Sequence, residues 1–372
     1  MRAEGVVNRS AIGLVASTAA IRFITSLLQA VAPLYLVLLG LRSIVASYVI
    51  VILWVSIASG SVIATAIGSA FMTSIAGLLV ASGGLALFLS FRAAAALGIA
   101  VAGLGAGIAG SALAPSLHVL SSEDRPFEGI GAYSLGLSIG LICALLSSSL
   151  ASPRYLWIVF AAASIVSLAT AVIIALRPPP RHANLKVRIP GPSDLFRFFS
   201  DRGFARVFYI NLTYSLAFPL VLSYWSIYAV DVLRLSTSTA FGAMAAMFTI
   251  SMAIRAAALR ARNVLPLEWA SILSFIVSSA MLSSGVTLVS ILGIMLFSVP
   301  HALIYPTTLY ESLRQRPGEE VKASYLMSIS SGAGEILAPM AATLIILSGG
   351  LPHIYEATVV LSVAALAGFL II

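Results

Sequence analysis

Seven residues carry groups able to bind a polar solute or to move a proton from within apolar sequence: Arg22, Gln29, Asn211, Tyr214, His301, Tyr305 and Glu335. Each type brings a different chemistry. Arg22 is a permanent cation with a planar fork of donors, suited to a carboxylate or phosphate. Gln29 and Asn211 donate and accept; Tyr214 and Tyr305 pair a hydroxyl with an apolar ring. Glu335 and His301 are the candidates for carrying a proton, a buried carboxyl and an imidazole whose ordinary pKa is about 6.5. An ionisable side chain held in lipid is expensive, so it must face a partner or a water-filled cavity.

Helical spacing extends each of these points into a stripe. Arg22, Ser26, Gln29 and Pro33 share one face; so do Asn211, Tyr214, Phe218 and Trp225. His301, Tyr305 and Thr308 form a third stripe, and Ser324, Ser328, Ser331 and Glu335 a fourth. At 1.5 Å per residue, Arg22 and Glu335 both sit roughly 17–18 Å into their spans, and His301 roughly 12 Å. Equal depth allows Arg22 and Glu335 to meet if their helices face one cavity. Each feature also has a purely structural explanation: a static Arg22–Glu335 pair, a histidine that only bonds a neighbouring carbonyl, a serine stripe that only lets helices approach.

The elements that must position these residues are membrane helices. Of 372 residues, 60% are apolar and 9% charged, far below the roughly 25% charge of a soluble domain. The net charge of +8 sits in short clusters between long apolar runs, which excludes a nucleic-acid module. The one cysteine, Cys143, excludes an intramolecular disulfide framework and a cysteine-based metal site. Runs of about 20 apolar residues become helices in lipid, because every backbone polar group must pair internally. Twelve such spans are expected, near 11–39, 46–68, 73–90, 93–114, 129–151, 155–176, 204–229, 237–257, 266–283, 286–309, 323–347 and 353–371. Arg2 and Arg9 precede the first run, but its length, Arg22, Gln29 and Pro33 argue for a retained span rather than a cleaved signal.

With the N-terminus inside the cell, only Arg42, Arg92, Arg154 and Arg234 of the 21 Lys and Arg residues fall outside, and Arg22 lies within span 1. The rest, Arg255, Arg260 and Arg262 among them, fall inside, the bias expected of a chain with both termini cytoplasmic. The polar stretch 177–203, opening Arg177-Pro178-Pro179-Pro180, divides the chain into a half at 1–176 and a half at 204–372. Pro115, Arg125, Pro126 and Glu128 repeat in spacing as Pro306, Arg316, Pro317 and Glu319. A repeat of six crossings returns in the same orientation, so the halves are expected to be parallel repeats.

This pattern resembles the major facilitator superfamily over essentially the whole chain. The resemblance rests on two six-helix halves, a long linker, proline-ended helices 4 and 10, and the stretches Pro300-His301-Ala302-Leu303-Ile304-Tyr305-Pro306 and Ser331 to Pro339. The fold class expected is an all-α polytopic membrane protein with twelve transmembrane helices in two parallel six-helix repeats. The chain departs from the family at Gly68-Ser69-Ala70-Phe71-Met72-Thr73, which lacks a charged Asp-Arg-Gly-Arg signature. It departs again at Gly131, Gly136 and Gly140, which lack the Gly-Pro of drug antiporters, and at Asn211 and Thr213, where organic-phosphate carriers have an arginine. The resemblance implies a secondary transporter, an antiporter or otherwise, in which helices 1, 4, 7 and 10 line a pathway between alternately accessible sides. Expected are a monomer in the cell membrane, a small-molecule substrate, proton coupling through Glu335 and His301, no cofactor and no metal. No enzyme signature or phosphate-binding loop occurs. Export of an amphipathic compound is one reading. Uptake of a sugar or small organic anion oriented by Arg22 is the second, and a non-transporting membrane subunit or membrane-embedded enzyme the rival of a different class.

Overall fold

A computed structural model describes residues 2–67, 69–90, 94–119, 127–176, 192–258, 263–315 and 319–372. Arg92, Arg125, Pro126, Arg260, Arg262, Arg316, Pro317 and positions 177–191 of the expected linker lie outside the described residues.

The chain is helical along its length: α1 (Arg2–Ser26), a π-helical turn (Leu27–Val31), α2 (Ala32–Leu38), α3 (Ser43–Ile67), α4 (Ala70–Ser90), α5 (Ala95–Val119), α6 (Phe127–Leu150), α7 (Leu156–Leu176), α8 (Pro192–Phe199), α9 (Arg202–Asp231), α10 (Thr237–Ala258), α11 (Leu265–Ser283), α12 (Thr287–Leu296), α13 (Ser298–Arg314), α14 (Glu320–Gly349) and α15 (Pro352–Ile371). Among the described residues, 11 continuous helical stretches are long and apolar enough to cross a membrane. Three of them are composite: α1 with the π-turn and α2, over Ile12–Leu38; a 3-10 turn (Pro153–Tyr155) with α7, over Pro153–Leu176; and α12 with α13, over Thr287–Arg314. The described apolar part of α6 is the shorter Leu135–Leu150.

Prolines explain where the composite spans break. Pro33 has no N–H to give to the carbonyl of Gln29, four residues back. The ladder widens there, and the Ala32 N–H reaches the carbonyl of Leu27, five back. Pro300 similarly cannot serve the carbonyl of Leu296, where α12 ends; α13 begins two residues later, at Ser298. The stretch expected as one span near 286–309 is therefore two helices joined at Phe297. Where α11 and α14 end, Gly285 and Gly350 take φ of 69° and 88°, a left-handed turn that favours glycine.

The chain divides into two compact units. The first comprises Met1–Leu41 and Val49–Val187, the second Arg42–Tyr48 and Arg188–Ile372. In the first unit, small residues set helix separation. Gly77 and Gly84 of α4 lie against Ala109 and Ala102 of α5, while Gly136 and Gly140 of α6 lie against Thr18 and Ala19 of α1. In the second unit α9 is the central element, with α13, α14 and α15 packed around it. Asp201 caps its N-terminus, accepting from the Phe204 N–H at 3.2 Å. The first turns of α3 group with this unit, and the Tyr224 hydroxyl of α9 donates to Ser47 at 2.8 Å. Part of the expected linker is ordered as α8. Its Phe198 is fully buried against Phe204, and Arg197 pairs with Glu319 at the start of α14.

Candidate functional site

Among the described residues, a polar cluster within the membrane-spanning helices is centred on His301 of α13. Its Nδ1 lies 2.8 Å from the Tyr214 hydroxyl of α9. Arg255 of α10 donates to the His301 carbonyl at 2.8 Å and approaches Nε2 at 3.3 Å. Aromatic rings enclose the imidazole. Phe218 stacks on it at 4.6 Å with 13° between planes, and Phe248 meets it edge-on at 4.9 Å. Tyr214 packs in turn on Phe275 and Phe297. The helical period builds this arrangement: Tyr214 and Phe218 are four apart on α9, and Phe248 and Arg255 are seven apart on α10. A guanidinium has donors and no acceptor, so the nitrogen it faces must present its lone pair.

One turn along α13, Tyr305 makes a second nest. Its hydroxyl lies near the Ser328 side chain of α14, with the Glu335 carboxyl also in its surroundings. Ser328, Gly332 and Glu335 share a face of α14, and open space lies over Gly332. Glu335 is half-buried. On the opposite side of α14, Gly334 rests on the backbone of Ser215, where no side chain would fit. That close approach lets α14 lie flush on α9.

Asn211 points from α9 into the same seam. It is fully buried, and its side-chain nitrogen donates to Ser330 at 2.5 Å and Ser331 at 3.0 Å, with the Met327 carbonyl at 3.3 Å. Its donor end is thus committed to holding α9 on α14. Its carbonyl oxygen meets no partner among the described residues.

Two of the seven candidate residues belong to the first unit. Arg22 is half-buried on α1, with Gly140 of α6 against its Cβ. Gln29 stands at the centre of the π-turn, 1% exposed, and neither end of its amide has a partner among the described residues. The Ser26 hydroxyl, one turn earlier, is in the same condition. An unpaired buried amide is costly, and π-turns are frequent at functional sites.

The structure therefore brings Tyr214, His301, Tyr305 and Glu335 onto adjoining faces of α9, α13 and α14, while Arg22 on α1 and Gln29 in the π-turn share the first composite span. It also supplies a group that the charge count assigned to the inner loop. Arg255 lies inside α10, and its seven-residue spacing from Phe248 is the signal that placed it on the His301 face. A second charged group in this unit had no place in the sequence reading. Glu268 of α11 and Glu311 of α13 are 6% and 8% exposed. Arg314 stands 3.7 Å from Glu311, and Arg206 lies near Glu268 and over the Phe369 ring at 5.6 Å. Among the described residues no cluster of His, Cys, Asp and Glu has metal-binding geometry.

No protein-family model and no curated protein sequence matches the chain. Its three-dimensional structure does match solved ones, and these show its fold, an all-helical one. The nucleoside transporter NupG superposes with a TM-score of 0.78 at 13% identity, over 97% of this chain and 100% of that one. The POT family transporter PepTSo gives 0.75 at 13% identity, over 97% of both chains. A POT peptide transporter in complex with alafosfalin gives 0.74 at 15% identity, over 96% of this chain and 93% of that one.

Proposed function

We propose that this protein is a secondary active transporter that moves a small organic solute across the cell membrane by alternating access, coupled to protons. The observation that carries the reading is the His301 cluster: an imidazole, a tyrosine hydroxyl and a guanidinium held together inside membrane-spanning helices of a transporter fold. Such groups are costly in lipid and are retained where a solute or proton passes. His301 and Glu335 are the proton-carrying groups of this proposal. Arg22, Gln29, Asn211, Tyr214, His301 and Tyr305 are its substrate-binding groups, with Asn211 limited to its carbonyl oxygen. The bias of Lys and Arg supports both termini in the cytoplasm, and the chain is taken as a monomer.

The nucleoside and peptide transporters that share the fold support a polar organic solute for this one. The aromatic rings around His301 support an amphipathic substrate, which fits proton-coupled export. Arg255 favours the second reading, a small organic anion, because it places a permanent cation at the proton-carrying histidine. A thermal-stabilisation screen of purified protein against nucleosides, short peptides, sugars, carboxylates and amphipathic cations tests the proposal. At least one class should raise the melting temperature of the unaltered protein, and less so that of Arg22→Ala or Glu335→Gln. A screen without a hit, together with reconstituted vesicles that pass none of these solutes, would remove it.

A further inference from the structure

Arg255 and the proton of His301 compete for one nitrogen. Nδ1 faces the Tyr214 hydroxyl, and Nε2 faces the Arg255 guanidinium. Arginine stays protonated and can only donate, so Nε2 carries the lone pair and the neutral imidazole holds its hydrogen on Nδ1. The Nδ1–H then donates to the tyrosine oxygen. A second proton can enter only at Nε2, the atom Arg255 occupies. Once there, it places an imidazolium beside a guanidinium, and the like charges repel. Protonation of His301 and departure of Arg255 from Nε2 are therefore one event.

The surroundings sharpen this exchange. From α9 the titratable neighbour is Tyr214, and from α10 it is Arg255. Phe275 of α11 lies behind Tyr214, and on the α14 side the Glu335 carboxyl lies near Tyr305, one turn from His301. Phe218 and Phe248 cover the imidazole ring itself. Of the groups Arg255 bonds here, the Nε2 lone pair and the His301 carbonyl are both neutral acceptors. A carboxylate or phosphate is a stronger partner for a guanidinium, because the bond is charge-assisted and bidentate.

We propose that Arg255 binds the anionic group of the substrate, and that taking the anion withdraws Arg255 from Nε2 of His301 and loads the proton there. Anion and proton then bind together, with no net change in the charge of the site. By linkage the effect is reciprocal: the anion raises the proton affinity of His301, and the proton raises the affinity for the anion. This deepens the transporter reading and rests on it for its purpose, but its chemistry can be measured without transport.

The experiment is nitrogen NMR of the full chain, labelled with 15N-histidine in lipid nanodiscs, with the His301 signal assigned through His301→Gln. In the unaltered protein at neutral pH the Nδ1–H tautomer is expected. Arg255→Gln should raise the apparent pKa of His301 by about one unit or more, since a neighbouring cation is gone. Arg255→Lys, which keeps the charge without the fork, should fall between. Benzoate, succinate and inorganic phosphate are the anionic probes and benzamide the neutral control. At least one anion should raise the His301 pKa in the unaltered protein and leave Arg255→Gln unchanged, while benzamide does nothing. An Nε2–H tautomer, or an unchanged pKa in both variants, overturns the exchange. No response to any of the three anions overturns the substrate assignment. The tautomer and anion measurements use the unaltered chain, so a variant that fails to fold does not shield the proposal. Vesicles that pass no solute would sink the transporter reading and leave these signals intact; signals without the exchange would do the reverse.

Discussion

At the scale of single residues, Gln29 and Asn211 look alike in sequence: each is an amide on a helix rich in apolar side chains. Their surroundings separate them. The Asn211 amide nitrogen is pinned to Ser330 and Ser331, whereas the Gln29 amide is buried with both ends unpaired among the described residues. Leucine in place of Asn211 breaks a buried connection between α9 and α14, and should cost on the order of 1–3 kcal/mol of stability. Leucine in place of Gln29 removes two unpaired polar atoms, so stability should hold or rise by about 1 kcal/mol while solute binding falls. Thermal unfolding in detergent, read beside ligand-induced stabilisation, distinguishes the two. Equal losses of stability would mean that Gln29 has a structural partner. The residue types of the site were legible from sequence because polar groups in apolar runs stand out. Their partners were not, since Tyr214 and His301 are 87 positions apart and no spacing rule joins them. Arg255 was hidden for a different reason: near a helix end, an arginine that sets topology and one that serves a site carry the same letter.

The helices themselves were legible, because lipid leaves an apolar run no other structure. Their interruptions were harder to read. Pro33 and Pro300 were visible, but whether a proline yields a kink, a π-turn or a break depends on what packs beside it. Alanine at Pro33 restores the missing donor, so the turn should relax to an α-helix and rotate Gln29 by about 100° for the one residue removed from the bulge. Solute affinity should then fall with stability preserved; unchanged affinity would show that the π-turn does not orient the site. Two glycines of α14 make a second test. Gly334 rests on the Ser215 backbone, so leucine there should force α14 from α9 and lower stability by about 1–3 kcal/mol or more. Gly332 faces open space, so alanine there should be tolerated and even add up to about 1 kcal/mol through helix propensity. Melting temperatures of both variants decide whether α14 presents the face assigned to it. The helix α8 escaped notice because its eight residues lie in a stretch dominated by proline and charge. The fully buried Phe198 that anchors it is ordinary in sequence and finds its site only through Phe204.

For the molecule as a whole, composition and periodicity reached the fold further than they reached the chemistry. Apolar runs, a polar divider and a half-length repeat pointed to the architecture that NupG and the POT transporters share at only 13–15% identity. Those features are physical demands of the bilayer, and many sequences satisfy them. The substrate is set by a few side chains whose meeting the fold alone decides, and at this identity the fold does not carry them over from one protein to another. The proposed activity therefore calls for its own assay. Purified protein in vesicles loaded with a pH-sensitive dye, given a panel of carboxylates, peptides, nucleosides and amphipathic cations, reports solute-driven proton movement directly. At least one solute should drive proton flux through the unaltered protein, with a loss of tenfold or more in His301→Gln and in Glu335→Gln. Solute flux that ignores an imposed pH gradient, or proton movement that survives both substitutions, would contradict proton-coupled transport through this site.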